Sequence, residues 1–448
     1  MYGRRDLVDA HLFLRGRLSS AVLRSDPDAP DRPLRRTATG MGIGIAVAAG
    51  AIVVVVVLNI FLFTSNDAWR SQTGALLVDK STGSRYMLID EKLHPVRNLT
   101  SAALLVGGRP SVIQVSSEDL ASVPRGEAVG AEGLPDELPA PQSAAPIWTA
   151  CVADGGTALT IGGVPDATPV GRGEAVLVRA DDELSLIWQG TRSQIAGAWA
   201  ARALGFEPSE AVPVDAAWLD TVPSGRDLDL HELTLGGQGP VIAGKPTTLG
   251  QVVEADGEGT RYVVTAQGLM PVTDTVAALL AGEQEHKLPE PRTITTRDLV
   301  ATPVTKAAAW QSELPSSAPK PVDADRTPCS VWSDDTTTIA TVPAADAAAT
   351  TGGGTSTKTS TQASATGENA KAGKAGSVAV APGAGLLAST AAAPGVRGAG
   401  LYLVTDDGTK YPVADASTAS ALGLDASSSP AVPAALLALL PTGPMIAK

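Results

Sequence analysis

The sequence predicts an α+β, β-rich protein: a single N-terminal transmembrane helix, then an elongated extracytoplasmic domain with a central β core and four small hairpin-plus-helix repeats. Three observations predict it. No Asp, Glu, Lys or Arg occurs from Thr37 to Asn66. A spaced motif returns four times further along. Between its copies lie β-branched segments broken by Gly and Pro, two of which hold the chain's two cysteines.

The first element is a cytoplasmic head, residues 1–36. Leu7, Ala10, Leu14, Leu18, Ala21 and Val22 recur at spacings of three and four, with Arg4, Arg15 and Arg24 among the other positions, which predicts a basic amphipathic helix. Asp26-Pro27-Asp28-Ala29-Pro30 ends it. Such a helix suits the inner leaflet or a cytoplasmic partner. A plain topogenic head is the simpler reading.

The anchor, residues 37–66, centres on MGIGIAVAAGAIVVVVVLNIFLF, Met41 to Phe63. A hydrocarbon core of ~30 Å needs about 20 apolar residues at 1.5 Å rise. A cleavable signal peptide would have an apolar region of ~7 to 15 residues and then a small-residue cleavage site. This run is longer and continues into Ile60-Phe61-Leu62-Phe63. Eight arginines against five aspartates give the head +3, with Arg35 and Arg36 abutting the span. The excess of arginine on that side places the N-terminus in the cytoplasm of a plasma membrane and the rest outside it.

Of the chain's net −13, the exported part carries −16 once the head is set aside. So acidic a surface argues against nucleic acid and against a polybasic grip on anionic lipid. Cys151 and Cys329 both lie in this part, where an oxidising compartment makes a disulfide the default. A reactive thiol or a metal ligand is the alternative, but neither cysteine has a second Cys or His at ligand spacing.

The repeated motif is an apolar residue, Leu five positions on and Pro nine positions on. It reads Val115, Leu120, Pro124; Val214, Leu219, Pro223; Ile294, Leu299, Pro303; Val432, Leu437, Pro441. Gly126, Gly225 and Gly443 follow at plus eleven in three copies. A hairpin-like element precedes each: Leu76 to Ile89, Val176 to Trp188, Tyr262 to Val272, and Leu401 to Val413 around Asp406-Asp407-Gly408. Helical stretches such as Ala196 to Leu204 and Val276 to Leu280 intervene. The repeats are assigned to residues 74–130, 176–228, 259–305 and 399–448.

Units so small bury little core alone and must pack on something. The core segments are assigned to residues 131–175, 229–258, 306–344 and 376–398, with strands expected within Trp148 to Gly163, Glu232 to Ala255, Pro328 to Val342 and Ser377 to Leu387. Residues 345–375 contain no aromatic residue and no Leu, Ile or Val, and read as a disordered low-complexity loop.

No catalytic constellation emerges, and no catalytic, cofactor-binding or metal residue is assigned. Gly239, Gly244 and Lys245 match the start of the phosphate loop GxxxxGK[ST], but Pro246 stands where the magnesium-binding hydroxyl belongs. His11, His94, His231 and His286 are scattered, and no GxSxG elbow occurs. Asp181-Asp182 and Asp406-Asp407 fall at expected hairpin tips, where Asp serves turn geometry. Trp148, Trp188, Trp199, Trp218, Trp310 and Trp332 sit in apolar patterns as core residues, while Trp69 is placed as an interfacial anchor beside the span.

The head Arg4-Arg5-Asp6-Leu7-Val8-Asp9-Ala10-His11 with Arg15 and Arg17, the stretch Leu93-His94-Pro95-Val96-Arg97-Asn98-Leu99-Thr100-Ser101-Ala102, Trp148 with Cys151, and the closing YLVTDDGTKYPV together resemble the EccB component of actinobacterial type VII (ESX) secretion systems. The resemblance implies a structural subunit, assembled with the membrane ATPase EccC and with EccD and EccE, with a mycosin-type protease outside. It implies a β-rich core, four repeats like phage-lysin cell-wall-binding modules, and Cys151 with Cys329 as the disulfide pair. It implies self-association within the complex and contact with peptidoglycan as a further option. Some family members carry an ATPase label, to which the broken phosphate loop here lends no support.

Overall fold

The computed structural model describes residues 3–24, 35–63, 68–140, 146–153, 156–162, 167–257, 259–344, 374–393 and 395–448. The chain divides into two compact units, Met1–Leu93 with Val112–Arg125, and His94–Ser111 with Gly126–Lys448. The Asp26 to Pro30 stop and the expected loop up to residue 373 lie outside the described residues.

In the first unit, α1 (Arg4–Arg24) leaves Leu7, Phe13, Leu14 and Leu18 exposed. Next comes α2 (Arg35–Phe63), in which Thr39–Val57 is, among the described residues, the one stretch long and apolar enough to cross a membrane. None of that stretch is buried by the protein. Strands β1 (Leu76–Asp79), β2 (Arg85–Ile89), β3 (Lys92–Pro95) and β4 (Val112–Val115) form a sheet in the order β3-β2-β1-β4. Helix α3 (Leu99–Val106), which falls in the second unit, precedes β4, and α4 (Ser117–Ala121) follows it. The sheet buries Leu77, Leu93, Val115 and Leu120 with Trp69. Trp69 is 5% exposed and is therefore a core residue rather than the expected interfacial anchor.

The same order recurs three times in the second unit. β8 (Glu174–Ala180), β9 (Glu183–Trp188), β10 (Thr191–Gln194) and β11 (Val212–Pro213) pair as β10-β9-β8-β11, with α5 (Ala198–Ala203) and α6 (Ala216–Asp220) between and after the last two. β12 (Val252–Ala255), β13 (Arg261–Thr265), β14 (Gly268–Val272) and β15 (Arg292–Ile294) do likewise with α7 (Asp274–Gly282) and α8 (Thr296–Ala301). So do β20 (Leu386–Ala393), β21 (Val396–Val404), β22 (Lys410–Val413) and β23 (Ala431–Val432), with α9 (Ala416–Ala421) and α10 (Ala434–Ala438). Each unit is thus a three-stranded antiparallel meander, a helix, and a fourth strand returning parallel to the first. A strand returning parallel cannot be reached through a tight turn, and a helix intervenes each time.

Each of the four expected hairpin segments pairs antiparallel, but they do not all occupy the same place in their sheets. Leu76 to Ile89 and Val176 to Trp188 are first and second strands, but Tyr262 to Val272 and Leu401 to Val413 are second and third. The first strands of those last two sheets, Val252–Ala255 and Leu386–Ala393, lie in stretches that the sequence places in the central core. Their Val- and Leu-rich sequences suit either place, and only long-range pairing decides.

The motif explains itself in hydrogen bonds. After each short helix the chain runs beside the third strand, and the carbonyl of the motif proline accepts from that strand: Pro124 from Leu93 N–H (2.8 Å), Pro223 from Arg192 (2.8 Å), Pro303 from Leu269 (2.8 Å) and Pro441 from Lys410 (2.9 Å). Proline lacks an N–H, so it ends the helix while still serving as an acceptor. Glycine at plus eleven is steric: a Cβ on Gly126 would lie 2.3 Å from the His94 ring, and one on Gly443 2.3 Å from the Tyr411 ring.

The central sheet is formed by β5 (Trp148–Ala153), β6 (Gly156–Ile161), β7 (Thr168–Pro169), β17 (Arg326–Ser333), β18 (Thr336–Pro343) and β19 (Ser377–Val380), ordered β19-β6-β5-β17-β18-β7. β16 (Lys320–Pro321) instead extends the edge of β8. The segment Glu232 to Ala255 contributes no strand to this sheet. Trp148, Leu159, Ile161 and Trp332 form its buried face with Trp218, Leu436 and Leu440. Helices also pair: α5 packs on α7, and α3 on α9.

Candidate functional site

The residues assigned from the sequence as a pair, Cys151 and Cys329, stand opposite each other on neighbouring strands β5 and β17 and are joined with S–S 2.05 Å. Each belongs to a different hairpin, β5–β6 or β17–β18, so the bond crosses the seam between the two hairpins with a sequence separation of 178. Both sulfurs are buried beside Val342.

Two repeats are fastened to this sheet through their short helices. In α6, Trp218 is fully buried and its Nε1–H donates to the Ala150 carbonyl at 2.9 Å. Asp215 caps α6 by accepting from Trp218 N–H (2.7 Å) and also accepts from the Thr157 hydroxyl of β6 (2.6 Å). Leu436 of α10 and Leu440, just past its end, enter the same core, and the Ala375 N–H donates to Leu439 O at 3.0 Å. Lys410 Nζ donates to the Leu437 carbonyl (2.5 Å); burial, with Lys374 nearby adding to it, lowers its pKa. Sequence reasoning placed Trp218 in the core but did not see that it and Asp215 form a joint. The capping spacing Asp-x-x-Trp was the available signal.

The phosphate-loop lookalike is a closed hairpin turn. Ile242 N–H donates to Lys245 O (3.0 Å) and Lys245 N–H to Ile242 O (3.1 Å), while Ala243 and Gly244 take φ of 50° and 70°. That is a two-residue turn with both central residues left-handed. A phosphate cradle needs such N–H groups free and a helix N-terminus behind them. Here the N–H groups of Ile242 and Lys245 each donate to the other residue's carbonyl, and the next helix begins at Asp274.

Asp181, Asp406, Asp407 and His94 make local structural contacts. Asp181 occupies a left-handed turn position, φ 51°. Asp406 accepts from Gly383 and Gly385 N–H (2.8 and 2.9 Å), and Asp407 from Thr409 N–H (3.0 Å). His94 Nδ1 lies 2.8 Å from Glu127 O. Glu283, Glu285 and His286 bring their side-chain donor atoms within 4.8 Å of one another, but the Glu283 carboxylate is occupied as a turn cap for the N–H groups of Glu285 (2.6 Å) and His286 (3.0 Å). These contacts hold neighbouring segments of the chain together.

Comparison with known proteins agrees with that architecture. The family model described as "Type VII secretion system ESX-1, transport TM domain B" matches residues 2–448. The chain is 30% identical over 419 residues to the "ESX-3 secretion system ATPase EccB3" of Mycobacterium tuberculosis, covering 84% of this chain and 76% of the relative. It is 29% identical over 410 residues to the protein of the same name from Mycolicibacterium smegmatis, with the same coverage of each. Among solved structures, an EccB3 dimer from the ESX-3 core complex is similar at TM-score 0.61 and 26% identity, covering 83% of this chain and 98% of the other. The periplasmic assembly from the ESX-5 inner membrane complex is similar in fold at TM-score 0.66 and 24% identity, covering 86% and 96%.

Proposed function

Since the chain belongs to the EccB family of type VII secretion transport components, we propose that it is a non-enzymatic assembly subunit of an ESX inner membrane complex, bracing the export channel on its extracytoplasmic side. The observation that carries this reading is the double fastening of the second and fourth repeats to one disulfide-bridged sheet. A domain tied together in this way transmits force between its repeats instead of moving about a substrate. The head faces the cytoplasm, by the flanking arginines, and α2 is the tether. EccC, EccD and EccE are the proposed membrane partners, with a mycosin-type protease outside, and the related EccB3 solved as a dimer supports self-association. Affinity purification of the full chain from membranes in mild detergent tests this: EccC and EccD should co-elute, and recovery of a free monomer alone would overturn it.

The ATPase in the relatives' names favours a second reading, an extracytoplasmic nucleotide hydrolase. The closed Ile242–Lys245 turn weighs against it, and energy conversion is better left to EccC. Hydrolysis by purified full chain that falls on Lys245→Ala would restore this reading. A cell-wall receptor is a third; strong retention on purified peptidoglycan without secretion partners would favour it over the brace.

A further inference from the structure

The fourth strand is the outer edge of each repeat sheet, and in three of the repeats that edge is blunted. β11 is two residues long, contains Pro213, and shares the edge of β8 with β16. β15 carries Arg292, whose guanidinium donates to Ile242 O at 3.1 Å and so draws the Ile242–Lys245 turn alongside. β23 is again only two residues. β4 differs. Its four residues, Val112-Ile113-Gln114-Val115, hold no charge and no proline, pair with β1 along their whole length, and among the described residues have no strand on the other side.

The direction of its free groups is fixed. Val115 O accepts from Lys80 N–H at 3.0 Å, so Val115 and Ile113 turn their backbone groups toward β1. Backbone groups alternate along a strand, so Val112 and Gln114 present N–H and C=O outward. Val112 is 62% exposed. An apolar, uncharged, unpaired edge is a template for strand addition, and soluble proteins ordinarily guard against it with charge, proline or brevity.

We infer that β4 is the surface through which two copies of this chain pair, antiparallel and edge to edge, extending both first-repeat sheets into one. This rests on the self-association reading above. A second copy is the occupant because the edge complements itself: Val112 and Gln114 each offer one donor and one acceptor, and antiparallel pairing about Ile113 sets Val112 opposite Gln114 of the other copy. It is also where two exported domains, each of net −16, meet along a strand that itself carries no charge. About that axis the two Ile113 residues form a non-hydrogen-bonded pair, the arrangement with the closest side chains.

The test uses full-length chain in detergent, its native disulfide intact. Ile113→Cys should give a reducible cross-linked dimer in high yield under mild oxidation. Gln114→Pro removes only an outward N–H, leaves the β1 ladder whole, and should convert dimer to monomer by light scattering. A dimer that persists in Gln114→Pro and yields no cross-link at residue 113 overturns the β4 assignment while leaving self-association standing. A monomeric wild type overturns both.

Discussion

The indole N–H of Trp218 donates to the Ala150 carbonyl at 2.9 Å, tying the second repeat to the strand that carries Cys151. Because Trp218 is fully buried, the joint is both packed and bonded. Trp218→Ala should destabilise the protein by about 3 to 5 kcal/mol through lost apolar burial and the cavity left behind. Trp218→Phe retains most of the apolar volume and loses the hydrogen bond, worth ~1 kcal/mol, plus a smaller cavity. Denaturant titration of the full chain in detergent checks the order: alanine well below phenylalanine, phenylalanine below wild type. Equal stability of all three would show that the second repeat is held elsewhere.

The Cys151–Cys329 bond closes a loop with separation 178, for which chain-entropy models give roughly 5 kcal/mol. Measured effects depend weakly on loop length, so the figure is a ceiling. Both sulfurs are buried, 2% and 0% exposed, so reductant should not reach them in the folded state. Thiol labelling should be absent with reductant alone and complete once denaturant is added. The double Cys→Ala variant should fold and melt well below wild type.

The anchor and the fourfold motif were legible because each is written locally, in thirty uncharged residues and in fixed spacing. The turn tips Asp181 and Asp406 were legible for the same reason. What escaped was long-range. That Val252–Ala255 opens the third repeat, while Cys329 sits in the central sheet, depends on which strand lies beside each, and both stretches have the same β-forming character. Trp69 misled because a tryptophan beside a span satisfies an interfacial rule, whereas the sheet that buries it begins seven residues later.

Gly268 opens β14 at φ 125°, and a Cβ there would lie 2.2 Å from the Pro303 carbonyl oxygen. That carbonyl accepts from Leu269 N–H, so relief would break the bond that closes the third repeat. Gly268→Ala should therefore cost several kcal/mol, about 3 or more. Gly257→Ala is the control: its φ is also positive, at 80°, but nothing lies within 4 Å. It should cost about 1 kcal/mol, from backbone strain alone. Thermal melting of both variants in detergent distinguishes contact from conformation; equal losses would remove the steric account of the motif's end.

Asp79 gives the first repeat a defined response to acid. Its carboxylate accepts from the Ser117 hydroxyl (2.7 Å), the Ser81 N–H (2.9 Å) and the Ser81 hydroxyl (2.8 Å). The Ser117 bond above all, then those from Ser81, hold its pKa far below the ordinary value. A carboxyl whose pKa is lower folded than unfolded stabilises the fold in its ionised form. That contribution is complete at pH well above ~3.9, the unfolded value, and drains away as pH falls through and below it. Asp79→Asn should thus be less stable than wild type at pH 7, with the gap narrowing steadily as pH falls below about 4. Melting temperatures of both proteins across that range check the sign. A gap that widens toward acid would mean that the serines bind the protonated carboxyl, and the hydrogen bonds would then have to be drawn the other way round.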